Sequence, residues 1–231
     1  VVDELEKRYP DYNGLNLTWE TREGIIKHSS EHDHPEAGDF SPGSRPSLEA
    51  QIIDLADEIA YNNHDLDDGL SSGLLAPGDV KKLALWSLGE ERYNREPKGD
   101  VKIRRQGIIR SIIDLLVSDL IGNTARRLEE FSITAYEGVL AAGEKMVAFS
   151  PEIIDANNEL KRFLMTNLYQ HYRVARMTMK AEMVIRDLFT IYTQHPDTLP
   201  EDYQKKFSRD GVVLTATDYI AGMTDRFALE E

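Results

Sequence analysis

Apolar residues recur along this chain at intervals of three and four, and strict alternation of apolar and polar positions never persists. That periodicity predicts helices throughout and an all-α fold. Residues 18–28 read as a short helix with Thr18 as its cap. Residues 29–46, rich in Gly, Pro, Ser and Asp, read as a loop. Ser47 follows a proline and opens a longer helix ending near Gly69; residues 71–78 (SSGLLAPG) break the pattern, and Asp79 caps a helix through about Arg92. After a polar turn at 95–100, residues 101–131 form a long helix with Ile108, Ile109, Ile112, Ile113, Leu116, Leu120 and Ile121 as its buried stripe. Gly107 and Gly122 mark places where it bends. Residues 151–163 and 164–195 form one or two more helices. The second turns Val174, Met177, Ala181, Val184, Ile185, Leu188 and Phe189 inward, and Pro196 ends it. Leu199 and Pro200 open a linker, and a last helix covers 217–229. The break at 71–78 divides the chain into residues 1–75 and 76–231.

Composition narrows the classes. Of 231 residues, 41% are hydrophobic and 29% charged, an ordinary globular balance. A formal charge of −14 disfavours a reader of nucleic-acid backbones, which needs clustered Lys and Arg. There is no cysteine, which removes disulfides, zinc thiolates and thiol nucleophiles and fits a reducing, cytoplasmic setting. No apolar run is long enough to span a bilayer. The first residues lack the pattern of a secretory signal. Without an initiating Met, the chain reads as a fragment or a processed piece.

The richest stretch for chemistry is 47–70, SLEAQIIDLADEIAYNNHDLDDGL. Asp54, Asp57, Tyr61, Asp65 and Asp68 are spaced three, four, four and three apart, so they share an arc roughly 80° wide on a helix. Ile52, Leu55, Ala56, Ile59, Asn63 and Leu66 occupy the other side. Two readings stand: a solvated acidic face opposite a packed one, or a face that presents a metal ligand, an aromatic platform and an acceptor to a cleft. Neither a phosphate-binding glycine loop nor a serine nucleophile elbow is present.

Three blocks carry a resemblance: GLNLTWETREGIIKH (14–28), the stretch at 47–70, and DYIAGMTDRFAL (218–229). Together they resemble the bacterial deoxyguanosinetriphosphate triphosphohydrolase family, HD-domain phosphohydrolases that depend on a metal. Residues 169–189 also fit its helical C-terminal half. The resemblance implies an HD-domain-like bundle portion (1–75) followed by a helical phosphohydrolase-associated region (76–231). In that family a His, an adjacent His-Asp pair and a later Asp hold the metal, and the later Asp matches Asp57, just before Ile59-Ala60-Tyr61. By the same match Tyr61 stacks on the deoxyribose, Asp65 accepts hydrogen bonds nearby, and Lys27 points toward phosphate. A divalent cation (Mn, Mg, Fe or Co) suits such ligands. The implied substrate is a deoxynucleoside triphosphate, and the implied state a homo-oligomer.

The remaining ligands and the general acid/base His belong upstream of the first block. His32-Asp33, with His34 beside it, spells the motif inside a Gly/Pro-rich loop and reads as surface; His64, which with Asp65 spells it again on the acidic helix, also reads as surface. Arg45 is a weaker phosphate candidate. Asp225 and Arg226 read as capping of the last helix, and His171 as a packed helix residue. Alone, the chain is expected to be inactive. The alternative is a non-catalytic helical module for oligomerisation or nucleotide sensing.

Overall fold

The structure, a computed structural model, describes residues 1–28, 40, 44–93 and 100–231. His32, Asp33 and His34 lie outside them, as do most of the two polar segments read as loops. Among the described residues there are eleven α-helices and no strand, only an isolated bridge between Lys7 and Gly14. The fold is all-α. The chain divides into two compact units, Val1–Met165 and Thr166–Glu231. The break at 71–78 lies inside the first of them.

In the first unit, residues 1–15 fold back on themselves. Gly14 has φ +73°, and a Cβ there would sit 2.5 Å from the carbonyl oxygens of Val2 and Asp3, so only glycine fits. Helix α1 (Trp19–Ile26) starts where the Thr18 hydroxyl accepts from the Thr21 amide. Helix α2 (Leu48–Ser71) starts at Ser47, whose Oγ accepts from the Ala50 amide at 3.2 Å. Gly24 lets α1 approach the Ala50 Cβ on α2.

The single helix expected from Asp79 is instead two. One turn, α3 (Pro77–Val80), begins at a proline, and α4 (Ala84–Tyr93) begins after Leu83. Val80 and Leu83 are both buried, which the intervening turn allows. The Ala84 amide is capped from a distance by Glu159 at 2.8 Å. Helix α5 (Val101–Glu130) is capped by Asp100. It buries Ile108, Ile109, Ile112, Leu116 and Leu120, but Ile121 is 66% exposed. At about 100° per residue Ile121 lies on the side of the helix opposite Ile112, whereas Leu120 and Asn123 keep to the buried side. A Cβ on Gly107 would meet the Tyr93 ring at 2.1 Å. The glycine is a slot for that ring.

After α6 (Tyr136–Ala141) the chain runs without regular structure through residues 143–150. Helix α7 (Pro151–Leu164) then closes the unit, with α4 and α5 packed together, α2 against α5 and α7, and α4 against α7. Residues 143–150 form a strap. Arg127 donates to the carbonyls of Lys145 (2.8 Å) and Met146 (3.2 Å), Asn123 to that of Ala148 (2.7 Å), and Asp119 accepts from the Ser150 amide (2.8 Å). Met146, Val147 and Phe149 are buried beneath it.

The second unit opens within a π-helical turn at Met165–Tyr169. Helix α8 (Tyr172–Gln194) is capped by His171, and Pro196–Thr198 forms a 3₁₀ turn. The expected linker folds: Leu199 is 2% exposed, and α9 (Glu201–Gln204) follows. Helix α10 (Phe207–Ala221) is interrupted at Gly211, φ +76°. The expected last helix is split, because Gly222–Thr224 leaves the helix and Thr224 caps a new one, α11 (Asp225–Glu230). Leu188, Tyr192, Leu199 and Ala216 make the core of this unit. Burial, then a bond to Glu231, raise the Tyr192 phenol above its ordinary range.

The stripe expected on α8 is only partly covered. Leu188 is buried and Val184 half-buried, whereas Met177 is 72% exposed and Ala181, Ile185 and Phe189 are also exposed. Twenty-three residues make a rod of about 34 Å. The partners that pack on α8 within this unit, α10 and α11, bury only its C-terminal turns. Periodicity finds a stripe but not the length of its cover.

Candidate functional site

Helix α2 carries most of the candidates, and its burial runs differently from the wheel expected of it. Gln51, Ile59, Asn62, Asn63 and Leu66 are buried, while Ile52 and Ala56 are exposed. The helix is turned so that three amides enter the core, and two of them are bonded there. Gln51 Oε1 accepts the strap amides of Met146 (2.7 Å) and Val147 (3.1 Å), and its Nε2 donates to the Pro46 carbonyl at 2.8 Å. Asn63 Nδ2 donates to the Ile59 carbonyl. A buried amide costs little once bonded.

That rotation divides the acidic arc. Asp54 is drawn inward, its side chain 12% exposed, and both oxygens are occupied. Oδ1 lies 2.6 Å from His28 Nδ1, and Oδ2 accepts from Lys145 Nζ at 2.8 Å. Glu58 and Asp67, outside the expected arc, tie α2 to its neighbours. Glu58 binds Asn157 (2.6 Å) and Lys161 (2.9 Å) of α7, and Asp67 lies 2.8 Å from Arg105 of α5. Asp57, Tyr61 and Asp68 face outward, and Asp65 is half-buried. Tyr61 is 57% exposed. His64 is exposed as well.

The face around Asp57 is not a uniformly charged one. From Ile52 to His64 the exposed positions are Ile52, Ile53, Ala56, Asp57, Ala60, Tyr61 and His64. One carboxylate stands among apolar and aromatic side chains. A contiguous outward apolar surface of this kind marks a place where something else packs.

Lys27 has three acceptors: Glu23 at 2.7 Å, and the hydroxyl and carbonyl of Ser44 at 2.7 and 3.1 Å. An ammonium has three donors, so all are engaged, and both Lys27 and Glu23 side chains are nearly buried. Arg45 binds the Gly143 carbonyl at 2.6 Å, at the head of the strap. Arg226 pairs with Glu230 one turn on, and His171 caps α8 by accepting from the Arg173 amide.

Among the described residues no three His, Asp or Glu side chains are grouped to hold a cation. Asp57 is a single oxygen donor, and a tightly held metal takes three or more protein ligands. These residues do not form a complete metal centre. The sequence reading missed His28 and Lys145 as partners of Asp54, and Gln51 as the anchor of the strap. The signal available was weak: a Lys directly before the apolar run MVAF, and a glutamine whose position on the wheel falls on the packed side.

Residues 147–231 match the family model of the phosphohydrolase-associated domain. Over its whole length the chain is 47% identical to the deoxyguanosinetriphosphate triphosphohydrolase-like protein of Geobacter metallireducens, 46% to that of Ralstonia pickettii and 42% to that of Thiobacillus denitrificans. It spans 61%, 61% and 62% of those proteins' lengths. Residues 147–231 thus carry a phosphohydrolase-associated domain, and the chain as a whole is similar to deoxyguanosinetriphosphate triphosphohydrolase-like proteins.

Proposed function

We propose that these 231 residues are part of a metal-dependent deoxynucleoside triphosphate triphosphohydrolase. It cleaves dGTP or a related nucleotide at the α-phosphate, releasing the deoxynucleoside and intact tripolyphosphate. Among the described residues Asp57 is the metal ligand that this chain lends. Tyr61 offers its ring to the deoxyribose, and Asp65 accepts a hydrogen bond beside it. Lys27 reaches phosphate only by giving up its bonds to Ser44.

The observation that carries this reading is the outward face of α2. Asp57 and Tyr61 stand there among Ile53, Ala56 and Ala60, a surface suited to being covered rather than wetted. The relatives' greater length supports the same view. The exposed stripe of α8, with Met177 and Ile185, favours a second role for this chain in subunit contacts. That role suits either a homo-oligomeric enzyme or the non-catalytic module.

The test is tripolyphosphate release by the full-length protein with Mn²⁺ or Mg²⁺. Asp57→Ala is expected to lower turnover by more than the roughly 10–100-fold typical of an outer-shell metal partner. Equal activity in wild type and variant rejects Asp57 as a ligand. Tyr61→Ala raises KM, and an unchanged KM removes the sugar platform.

A further inference from the structure

The Asp54 carboxylate joins three parts of the chain that sequence keeps far apart: His28 at the end of α1, its own turn of α2, and Lys145 in the strap. A carboxylate held by an ammonium accepts only, so the ring nitrogen facing it carries the proton, and Nδ1 of His28 is the donor. That bond fixes the tautomer and the tilt of the ring, as a carboxylate does behind a working histidine elsewhere. Among the described residues Nε2 makes no hydrogen bond, and the side chain keeps 37% of its surface exposed. Lys145 is itself held, because its backbone carbonyl accepts from Arg127 and the next two amides are pinned by Gln51. Asp54 and Asp57 lie three apart on one helix, which places their Cβ atoms about 5–6 Å apart. The carboxylate that orders the imidazole is therefore one helical turn from the carboxylate assigned above to the metal.

We propose that Asp54, clamped by Lys145, is a positioning residue that fixes the His28 imidazole as a hydrogen-bonding partner for the triphosphate chain of the substrate. The proposal rests on the function assigned above. It gives the strap a purpose: residues 143–150 hold the back of a phosphate-binding group rather than only filling a groove. A structural pair alone would affect folding stability without affecting phosphate affinity.

The experiment uses the full-length protein and inorganic tripolyphosphate as the probe, with Kd from calorimetry, KM and kcat from tripolyphosphate release, and Tm. His28→Gln and Asp54→Asn are each expected to weaken tripolyphosphate binding and raise KM by about 10–100-fold, with the smaller change in kcat. In the His28→Gln background Asp54→Asn adds nothing further, since it acts through the ring. Lys145→Met reproduces part of the loss and Lys145→Arg restores it. Should Asp54→Asn fail to fold, Lys145→Met carries the same comparison, because that side chain is 40% exposed. Wild-type affinity in Asp54→Asn, a lowered Tm with unchanged Kd, or additive losses in the double variant overturn the proposal. Wild-type turnover in Asp57→Ala instead overturns the functional assignment. A full-length protein that releases no tripolyphosphate overturns both.

Discussion

Helices α2 and α8 are the two longest amphipathic candidates outside α5, and the molecule treats them in opposite ways. Helix α2 brings polar groups inward and bonds them: Gln51 to the strap, Asp54 to His28 and Lys145, Glu58 to α7, Asp67 to Arg105. Helix α8 carries Met177, Met179, Met183 and Ile185 outward, each more than half exposed. The contrast teaches that hydrophobic periodicity alone does not decide burial. A glutamine is buried where two backbone donors await it, and a methionine is exposed where no element reaches it.

The sharpest way to break this comparison is Lys27→Met. It leaves the Glu23 carboxylate buried with no cation, and loss of one partner of a buried pair costs about 3–5 kcal/mol. Denaturant melts are expected to show that loss. A change below 1 kcal/mol would mean that the pair is not buried as described. Next is Gln51→Leu, similar in volume but unable to accept. It orphans the Met146 and Val147 amides at about 1–3 kcal/mol each, and hydrogen exchange at those two amides is expected to accelerate. The smallest effect belongs to α8. Met177→Gln with Met183→Gln touches surface positions and is expected to stay within about 0.5 kcal/mol per site. A larger loss, if it grows with protein concentration, would show that α8 is covered by another subunit.

Local chemistry made much of this fold legible in the sequence. Thr18, Ser47 and Asp100 cap the helices they were expected to cap or directly precede, because a side-chain oxygen satisfying a nearby amide needs only residues two or three apart. The α5 stripe from Ile108 to Leu120 followed from spacing in the same way. The strap did not, since it depends on Gln51, Asn123 and Arg127, which lie 18 to 96 residues from the atoms they bind. The candidate site divides along the same line. Asp57 and Tyr61 stood out by spacing and resemblance, but the different fates of Asp54 and Asp57, three residues apart, depend on the rotation of α2. That rotation is set by partners from α1 and the strap. The stop at Gly222–Thr224 was hidden by apolar residues on both sides of it.

Helix α4 meets α5 through two notches of opposite origin. A Cβ on Gly89 of α4 would collide with the Ile112 side chain at 2.3 Å, and a Cβ on Gly107 of α5 would collide with the Tyr93 ring. Each helix thus supplies both a tooth and a gap, and the two interlock at sites roughly one and a half turns apart along α5. Sliding one helix past the other by a residue would unseat both at once, so the bearing of α5 is indexed like a key in its ward.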